Sequence, residues 1–392
     1  MKILLWGNPK SIYIKHYVKY VLHEELSKIY LTCNEELDYE SKKFYQAYNV
    51  NLINLFLKRG FLKNIPKLST LTSLLINLGK YTRNGRFDYI HIHFVGNNSL
   101  MRYISPFLKR YCKKVILTFW GSDILDINKK QADLLVGVLN LSEKIVLSTA
   151  MMKKQFRDYY GKKYDHKIIQ CFFGNTLISR VVELKQNNRQ INDIISSLEN
   201  EIILMDSSFL PLPKDKYIIS IGYSGSSRQQ HKLVLKEIKD LPEDIKKNIY
   251  CVIQMSYGNI GQKYQAEIFS LMQNYEIKGN IITKWLSPEE TLYFKLQVDL
   301  FIHAQISDAL SASVLEYLYL DRLVFNPSWI KYVEWEELGC KYIEYDSFAE
   351  LPQLITEAML GKFNNISNDV QLIIEERFSW QHLSNCWQSL YN

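Results

Sequence analysis

Two acids, Asp308 and Glu316, bracket the seven residues Ala-Leu-Ser-Ala-Ser-Val-Leu, just after an apolar run (Leu300, Phe301, Ile302) and a short break at Gln305, Ile306 and Ser307. This order predicts a strand exit, a turn and the opening of a helix. The first turn of a helix leaves backbone N–H groups unpaired at the positive end of its dipole, so the amides of Leu310, Ser311, Ala312 and Ser313 are suited to cradle phosphate oxygens. The small side chains there let phosphates come close. Glu316, about one turn into the helix, can accept hydrogen bonds from a ribose, while Asp308 stays in the loop and faces a hexose. One ligand, a sugar joined to a nucleoside diphosphate, spans both acids. The competing reading is that Asp308 caps the helix and Glu316 is solvated on its outer face.

The elements around this segment fit such a site. Apolar runs recur at Lys2 to Trp6, Tyr89 to Phe94, Lys114 to Phe119, Lys144 to Ser148, Lys167 to Phe172, Tyr217 to Ile221, Tyr250 to Gln254, Asn280 to Thr283, Leu300 to His303 and Leu323 to Asn326. Each is followed by turn residues and then by helical periodicity, which predicts an α/β protein with parallel sheets. With 392 residues, 47% of them hydrophobic, the chain suits two domains of comparable size. The best break runs from Cys171-Phe-Phe-Gly174 through a polar stretch, Glu183 to Asn200, to Pro211-Leu-Pro-Lys-Asp215. Two doubly wound halves bind ligands at the carboxyl ends of their strands, in the cleft between them.

Net charge is +7, unevenly placed: from Leu57 to Val115 there are twelve Lys or Arg and one acid, Asp88. Interleaved with Phe56, Leu57, Phe61, Leu62, Ile65 and Leu68, residues 58–114 have the composition of a surface that lies on anionic lipid. No nucleic-acid-binding signature accompanies the charge, so nucleic acid is not expected as a partner; a solvated basic face is the bland alternative. No stretch has the roughly 18 apolar residues of a membrane span, and the first residues read as a strand, not a signal peptide. The six cysteines lie far apart in sequence, so reduced thiols in a cytoplasmic protein are expected, with neither zinc nor disulfides.

Further candidates follow from chemistry. A cation near the scissile phosphate stabilises a leaving nucleoside diphosphate, and Arg228 or Lys232 can supply it beside Ser224 and Gly225, with no cofactor or metal required. His91 and His93 share a strand face, but two ligands make no zinc site; His93 at the strand end suits the border of an acceptor pocket. Asp123 can orient or deprotonate an acceptor hydroxyl, or simply start a helix with Ser122 as cap. Trp285 is placed either to stack near a nucleobase or to fill core.

In the form Ser-Asp-Ala-Leu-Ser-Ala-Ser-Val-Leu-Glu-Tyr, the acid pair resembles the signature of family 4 glycosyltransferases. Asn280 to Tyr293 is similar to the strand and helix before it, and Arg377-Phe-Ser-Trp-Gln-His-Leu383 to the family's closing helix. Phe87 to Phe94 and Leu117-Thr-Phe-Trp-Gly-Ser-Asp123 resemble two strand ends on the acceptor side. Ile219 to Lys232 is similar both to this family and to the acetamido-fucosyl transferases of enterobacterial common antigen synthesis.

The resemblance implies the GT-B architecture, two Rossmann-like domains facing a cleft. Residues 1–175 would form the acceptor-side domain, 176–215 a linker, 216–375 the nucleotide-sugar domain, and 376–392 a helix crossing back. It further implies a metal-independent hexosyltransferase on the inner face of a bacterial cytoplasmic membrane. The donor is a nucleotide sugar, and the acceptor a lipid-linked or growing surface saccharide of capsule or O-antigen type. Gly7 and Asn8 are what remains of the glycine-rich loop after the first strand. Asp308 stands where Glu is usual, Trp120 on the acceptor side where many members carry His, and Tyr223 where Arg is usual. The family likeness implies retention of configuration, with the donor phosphate as base; the second likeness implies inversion, with Asp123 as base. A nucleotide-sugar 2-epimerase or a non-catalytic scaffold of a membrane glycan complex would keep the same architecture.

Overall fold

The computed structural model describes residues 1–22, 28–55, 66–96, 98–186, 198, 212–256, 258, 261–308, 310–363 and 368–392. The chain divides into two compact units, Met1–Gly174 with Trp380–Asn392, and Asn175–Ser379.

The first unit is built on a parallel sheet of seven strands in the order β3-β2-β1-β4-β5-β6-β7. The strands are β1 (Lys2–Trp6), β2 (Lys28–Cys33), β3 (Asn51–Asn54), β4 (Phe87–His93), β5 (Cys112–Thr118), β6 (Lys144–Val146) and β7 (Ile168–Ile169). Their apolar runs are covered by helices on both faces, the pattern parallel sheets require. One face buries Leu4, Ile90, Ile92 and Leu117 against the helices Pro66–Tyr81 and Asn98–Tyr111. The other buries Ile3, Leu5 and Val146 against the helix Ile12–Val21 and the last helix, Trp380–Gln388.

The second unit has a six-stranded parallel sheet in the order β10-β9-β8-β11-β12-β13. Here β8 is Tyr217–Ile221, β9 Ile249–Gln254, β10 Gly279–Ile282, β11 Leu300–Ile302, β12 Leu323–Pro327 and β13 Ile343–Tyr345. Strand order reverses between β1 and β4 in one sheet and between β8 and β11 in the other. Loops leaving the carboxyl ends of such a pair diverge to opposite faces and leave a crevice, which is where doubly wound sheets bind ligands. Residues of the predicted sites stand at both pairs.

Expected to be reduced, Cys171 and Cys386 are instead joined by a disulfide, their Cα atoms 6.4 Å apart. The partners are 215 residues apart and meet only because the last helix packs back beside the end of β7, which sequence spacing does not reveal. The other four cysteines are free and buried. Among the described residues, no helix is long and apolar enough to cross a membrane.

Candidate functional site

In the second unit, the loop after β8 begins at Gly222, whose N–H bonds the carbonyl of Ile302 at the end of β11 (3.1 Å). Gly222 has φ of +64°, and a Cβ there would lie 2.7 Å from His231 Nε2 and 2.9 Å from Gln229 Oε1. Only glycine fits on both counts. The buried Gln229 carboxamide accepts the Tyr223 N–H (3.2 Å) and so fixes the direction in which Tyr223 leaves the strand.

Tyr223 points at the first acid of the pair: its hydroxyl donates to Asp308 Oδ2 at 2.8 Å. On the same oxygen, 3.6 Å away, lies Nε2 of His303, the residue directly after β11. The His303 ring is fully buried, stacked beside Tyr223 at 5.8 Å between centroids. Asp308 is therefore not a helix cap. Ser311 caps the helix Ala312–Tyr319, accepting the Val314 N–H (3.4 Å), and Leu310 lies in the turn before it. Ala309 lies outside the described residues.

Glu316 is not solvated on an outer face either. Its Oε1 accepts from Asn175 Nδ2 (2.8 Å) and its Oε2 pairs with Lys295 Nζ. Lys295 is 2% exposed, bonds Ser313 Oγ at 3.0 Å and lies 4.6 Å from the Tyr317 ring centre. It is delivered there by a strongly specified helix, Pro288–Leu296, with a Ser287–Glu290 capping box and proline at the first position. An ammonium thus sits under the start of the Ala312–Tyr319 helix. It adds to the helix dipole and compensates the Glu316 charge.

Of the two cations proposed for the diphosphate, Arg228 bonds Ser307 Oγ, one residue from Asp308, and its carbonyl accepts the Ile306 N–H (3.1 Å). Lys232 is instead engaged by Glu267 on the helix Gln262–Asn274. Ser224 and Gly225 are buried in the loop after β8. Trp285, in the loop after β10, is 65% exposed and so fills no core.

At the carboxyl ends of the first sheet, Gly7 follows β1, and a Cβ on it would lie 2.7 Å from Ile14 Cδ1. Asn8 caps the turn after it, accepting the Lys10 N–H (2.9 Å). His93 is buried among Tyr17, Trp120, Phe173 and Trp387. Burial pushes its pKa down to about 3, so the ring is neutral. His91 bonds Thr118 Oγ1 (2.7 Å) and the Tyr391 hydroxyl (2.8 Å).

Asp123 does lie in the first turn of a short helix, Ser122–Leu125, but Ser122 is not its cap; Gly121, at φ of +128°, takes that place. The Asp123 carboxylate accepts the backbone N–H groups of Val95 (2.7 Å), Trp120 (2.8 Å) and Gly121 (3.0 Å). It clamps the loops after β4 and β5 together. Burial raises its pKa to about 6, with the three amides pulling the other way. Trp120 is half-buried and meets Tyr13 (5.4 Å), Phe94 (5.9 Å) and Phe173 (5.7 Å) edge to face.

Sequence reasoning missed Lys295, His303, Asn326 and Asn175 as site residues. A lysine inside the apolar helical run Leu292-Tyr-Phe-Lys-Leu296 was a readable signal for a buried ion pair; the asparagines gave none.

Residues 2–149 match the sequence family described as Glycosyl transferase 4-like. Nothing among curated protein sequences matches the chain. Solved structures similar to the whole chain include Anabaena Alr3699/HepE in complex with UDP and glucose, with TM-score 0.69, 12% identity, and 100% of this chain and 99% of that one covered. A glycosyltransferase from Rickettsia africae has TM-score 0.70 and 13% identity over 100% of this chain and 97% of that one. The UDP-GlcNAc 2-epimerase of Neisseria meningitidis bound to UDP-GlcNAc has TM-score 0.59 and 12% identity, covering 100% and 98%. The fold is the GT-B architecture, two Rossmann-like α/β domains.

Proposed function

We propose that this protein is a glycosyltransferase that moves a hexose from a nucleotide diphosphate sugar onto a lipid-linked or growing surface saccharide, of capsule or lipopolysaccharide type, without a metal and with retention. One observation carries the reading: Asp308 and Glu316 flank the start of one helix beside the β8/β11 crevice, each held by other side chains rather than spent as a cap or left to solvent. In this reading Glu316 receives the ribose and Asp308 the sugar. The helix-start amides and Arg228 meet the diphosphate, whose charge grows as the glycosidic bond breaks. The departing phosphate oxygen then takes the acceptor proton, so no protein base is needed, and Asp123 shapes the acceptor-side loops. The match of residues 2–149 to Glycosyl transferase 4-like proteins supports the same reading.

The basic tract supports a working place on the inner face of the cytoplasmic membrane. Lys58, Arg59 and Lys63 lie outside the described residues, and nothing is described of the Lys67 side chain. Of the rest, Lys113 pairs with Asp88 and Lys114 with Glu143. Lys80, Arg83, Arg86, Arg102, Lys109 and Arg110 remain exposed, interspersed with exposed Ile76, Tyr103 and Phe107. Cations around exposed apolar side chains suit an anionic lipid surface. A soluble 2-epimerase, the reading favoured by the Neisseria likeness alone, has no use for such a face.

Incubating the purified protein with UDP-, GDP- and dTDP-sugars tests the proposal. Slow donor hydrolysis is expected, and Asp308→Ala and Glu316→Ala should each lower turnover well over about tenfold. Epimerised donor without hydrolysis would replace a transferase with an epimerase, and silence with every donor would leave a scaffold.

A further inference from the structure

The surroundings of Asp308 determine more than its position. Asn326, at the end of β12, donates its amide to the carbonyls of Ile330 (2.8 Å) and Pro327 (3.1 Å). Those two bonds fix the orientation of its carboxamide, so the atom it turns to His303 Nδ1, 2.9 Å away, is the oxygen. An oxygen accepts only, so Nδ1 carries hydrogen. The ring cannot swing away: Tyr223 stacks beside it, Tyr332 packs at 6.2 Å, and the Tyr345 hydroxyl holds the His303 carbonyl (2.7 Å). Nε2 therefore stays aimed at Asp308 Oδ2, with no hydrogen-bond partner among the described residues. Were Nε2 bare, two acceptors would face each other in a buried place. A hydrogen there turns repulsion into an ion pair.

We propose that His303 is a positioning residue for recognition of the donor sugar, presenting N–H at both ring nitrogens. Its Nε2–H and the Tyr223 hydroxyl together occupy Asp308 Oδ2, and Oδ1 is left to accept a hydroxyl of the sugar. This rests on the reading that Asp308 faces the sugar, and it adds which oxygen does so and what holds it. The three groups act on the glycosyl portion of the donor alone, since the nucleotide belongs to Glu316 and the helix start. They set specificity for a sugar able to give one hydroxyl in that direction.

The test is calorimetric binding of UDP-, GDP- and dTDP-sugars against the matching free diphosphates. It is run on wild type, Tyr223→Phe, His303→Leu and His303→Gln, with thermal melting to confirm folding. For the nucleotide sugar that binds, Tyr223→Phe and His303→Leu are expected to lose about tenfold in affinity, the scale of one charge-assisted hydrogen bond. His303→Gln, which restores an N–H donor, should recover part of the loss, and affinity for the free diphosphate should stay within about twofold throughout. The nitrogen shifts of His303 in the labelled protein should report hydrogen on both ring nitrogens. Equal losses for sugar and diphosphate, no loss in either variant, or a bare Nε2 would overturn the inference. If His303→Leu does not fold, Tyr223→Phe, which removes one half-buried hydroxyl, decides alone. Wild type that binds neither donors nor diphosphates would refute the donor site itself, an outcome separate from all of these.

Discussion

Asp123 follows β5 and Asp308 follows β11: each stands in the loop region beyond the carboxyl edge of its sheet, Asp308 after the strand at which the order reverses and Asp123 after the next strand out. Their surroundings differ in kind. Asp123 is bound by three backbone amides on two loops, and both oxygens are occupied. Asp308 is approached on Oδ2 by two side chains, a hydroxyl and an imidazole, and on Oδ1 by none among the described residues. Backbone amides are fixed once the loops are fixed, so a carboxylate that takes them becomes part of the scaffold. Side-chain donors can turn aside or share an oxygen, so a carboxylate held by them stays open to a ligand. Motif position gave both acids a chemical role; the origin of their hydrogen bonds separates them.

The largest effect that would sharpen this contrast lies at Lys295. Removing one member of a buried ion pair leaves the other charge uncompensated, so Lys295→Met is expected to cost about 3–5 kcal/mol in denaturant unfolding. Adding Glu316→Gln to Lys295→Met should recover much of that, because the orphaned charge is then gone. A single substitution costing less than about 1 kcal/mol would mean that Glu316 has water enough to do without its partner, and that its carboxylate is not held for a ligand.

The doubly wound halves were legible because parallel strands buried on both faces leave long apolar runs. Lys2 to Trp6 and Tyr217 to Ile221 are predicted to the residue. What escaped was short or peripheral: β3, Asn-Leu-Ile-Asn, lies at the edge of its sheet, and β13 has three residues. β2, Lys28–Cys33, mixes Tyr and Thr into its pattern and begins beside residues 23–27, outside those described. In the site, the acid pair and the helix start could be read because they are local in sequence. The partners of the acids could not, because Tyr223 and Asp308 are 85 residues apart and Asn175 and Glu316 141 apart, joined only by folding. The disulfide escaped for the same reason.

A smaller effect tests the scaffold role of Asp123. Asp123→Ala strands three buried N–H groups and should cost about 1–3 kcal/mol of stability while lowering turnover less than Asp308→Ala does. The wild type should also show a pH signature that the variant lacks. With a folded pKa of about 6, raised by burial above the unfolded value, the native state holds more protons than the unfolded state between about pH 4 and pH 6. This carboxyl therefore favours folding as pH falls through that window, and the contribution is lost as pH rises through it, by about 3 kcal/mol at most. Unfolding midpoints of wild type and Asp123→Ala measured from pH 4 to pH 7 should diverge toward the acid end. Parallel curves would show that water reaches Asp123, and the scaffold assignment would fall.

The smallest expected effect concerns a difference in surface rather than in site. The helix Asn98–Tyr111 turns Met101, Ile104 and Leu108 into the first core, as its spacing demands, and leaves Tyr103 and Phe107 outside, 59% and 43% exposed, between Arg102, Lys109 and Arg110. An aromatic ring left in water beside cations gains by entering the headgroup region of a bilayer, where the cations meet anionic lipid at about 1 kcal/mol each. Tyr103→Ser with Phe107→Ser should therefore weaken sedimentation with phosphatidylglycerol vesicles several-fold at low salt. Arg102→Gln with Lys109→Gln should do the same and flatten its salt dependence, since counterion screening acts on charges and not on rings. Hydrolysis of a soluble nucleotide sugar should stay unchanged in both, because these residues lie in the first unit and the proposed donor site in the second. A double serine variant that binds the vesicles as wild type does would assign the attraction to charge alone, with no apolar contact to place the helix in the interface.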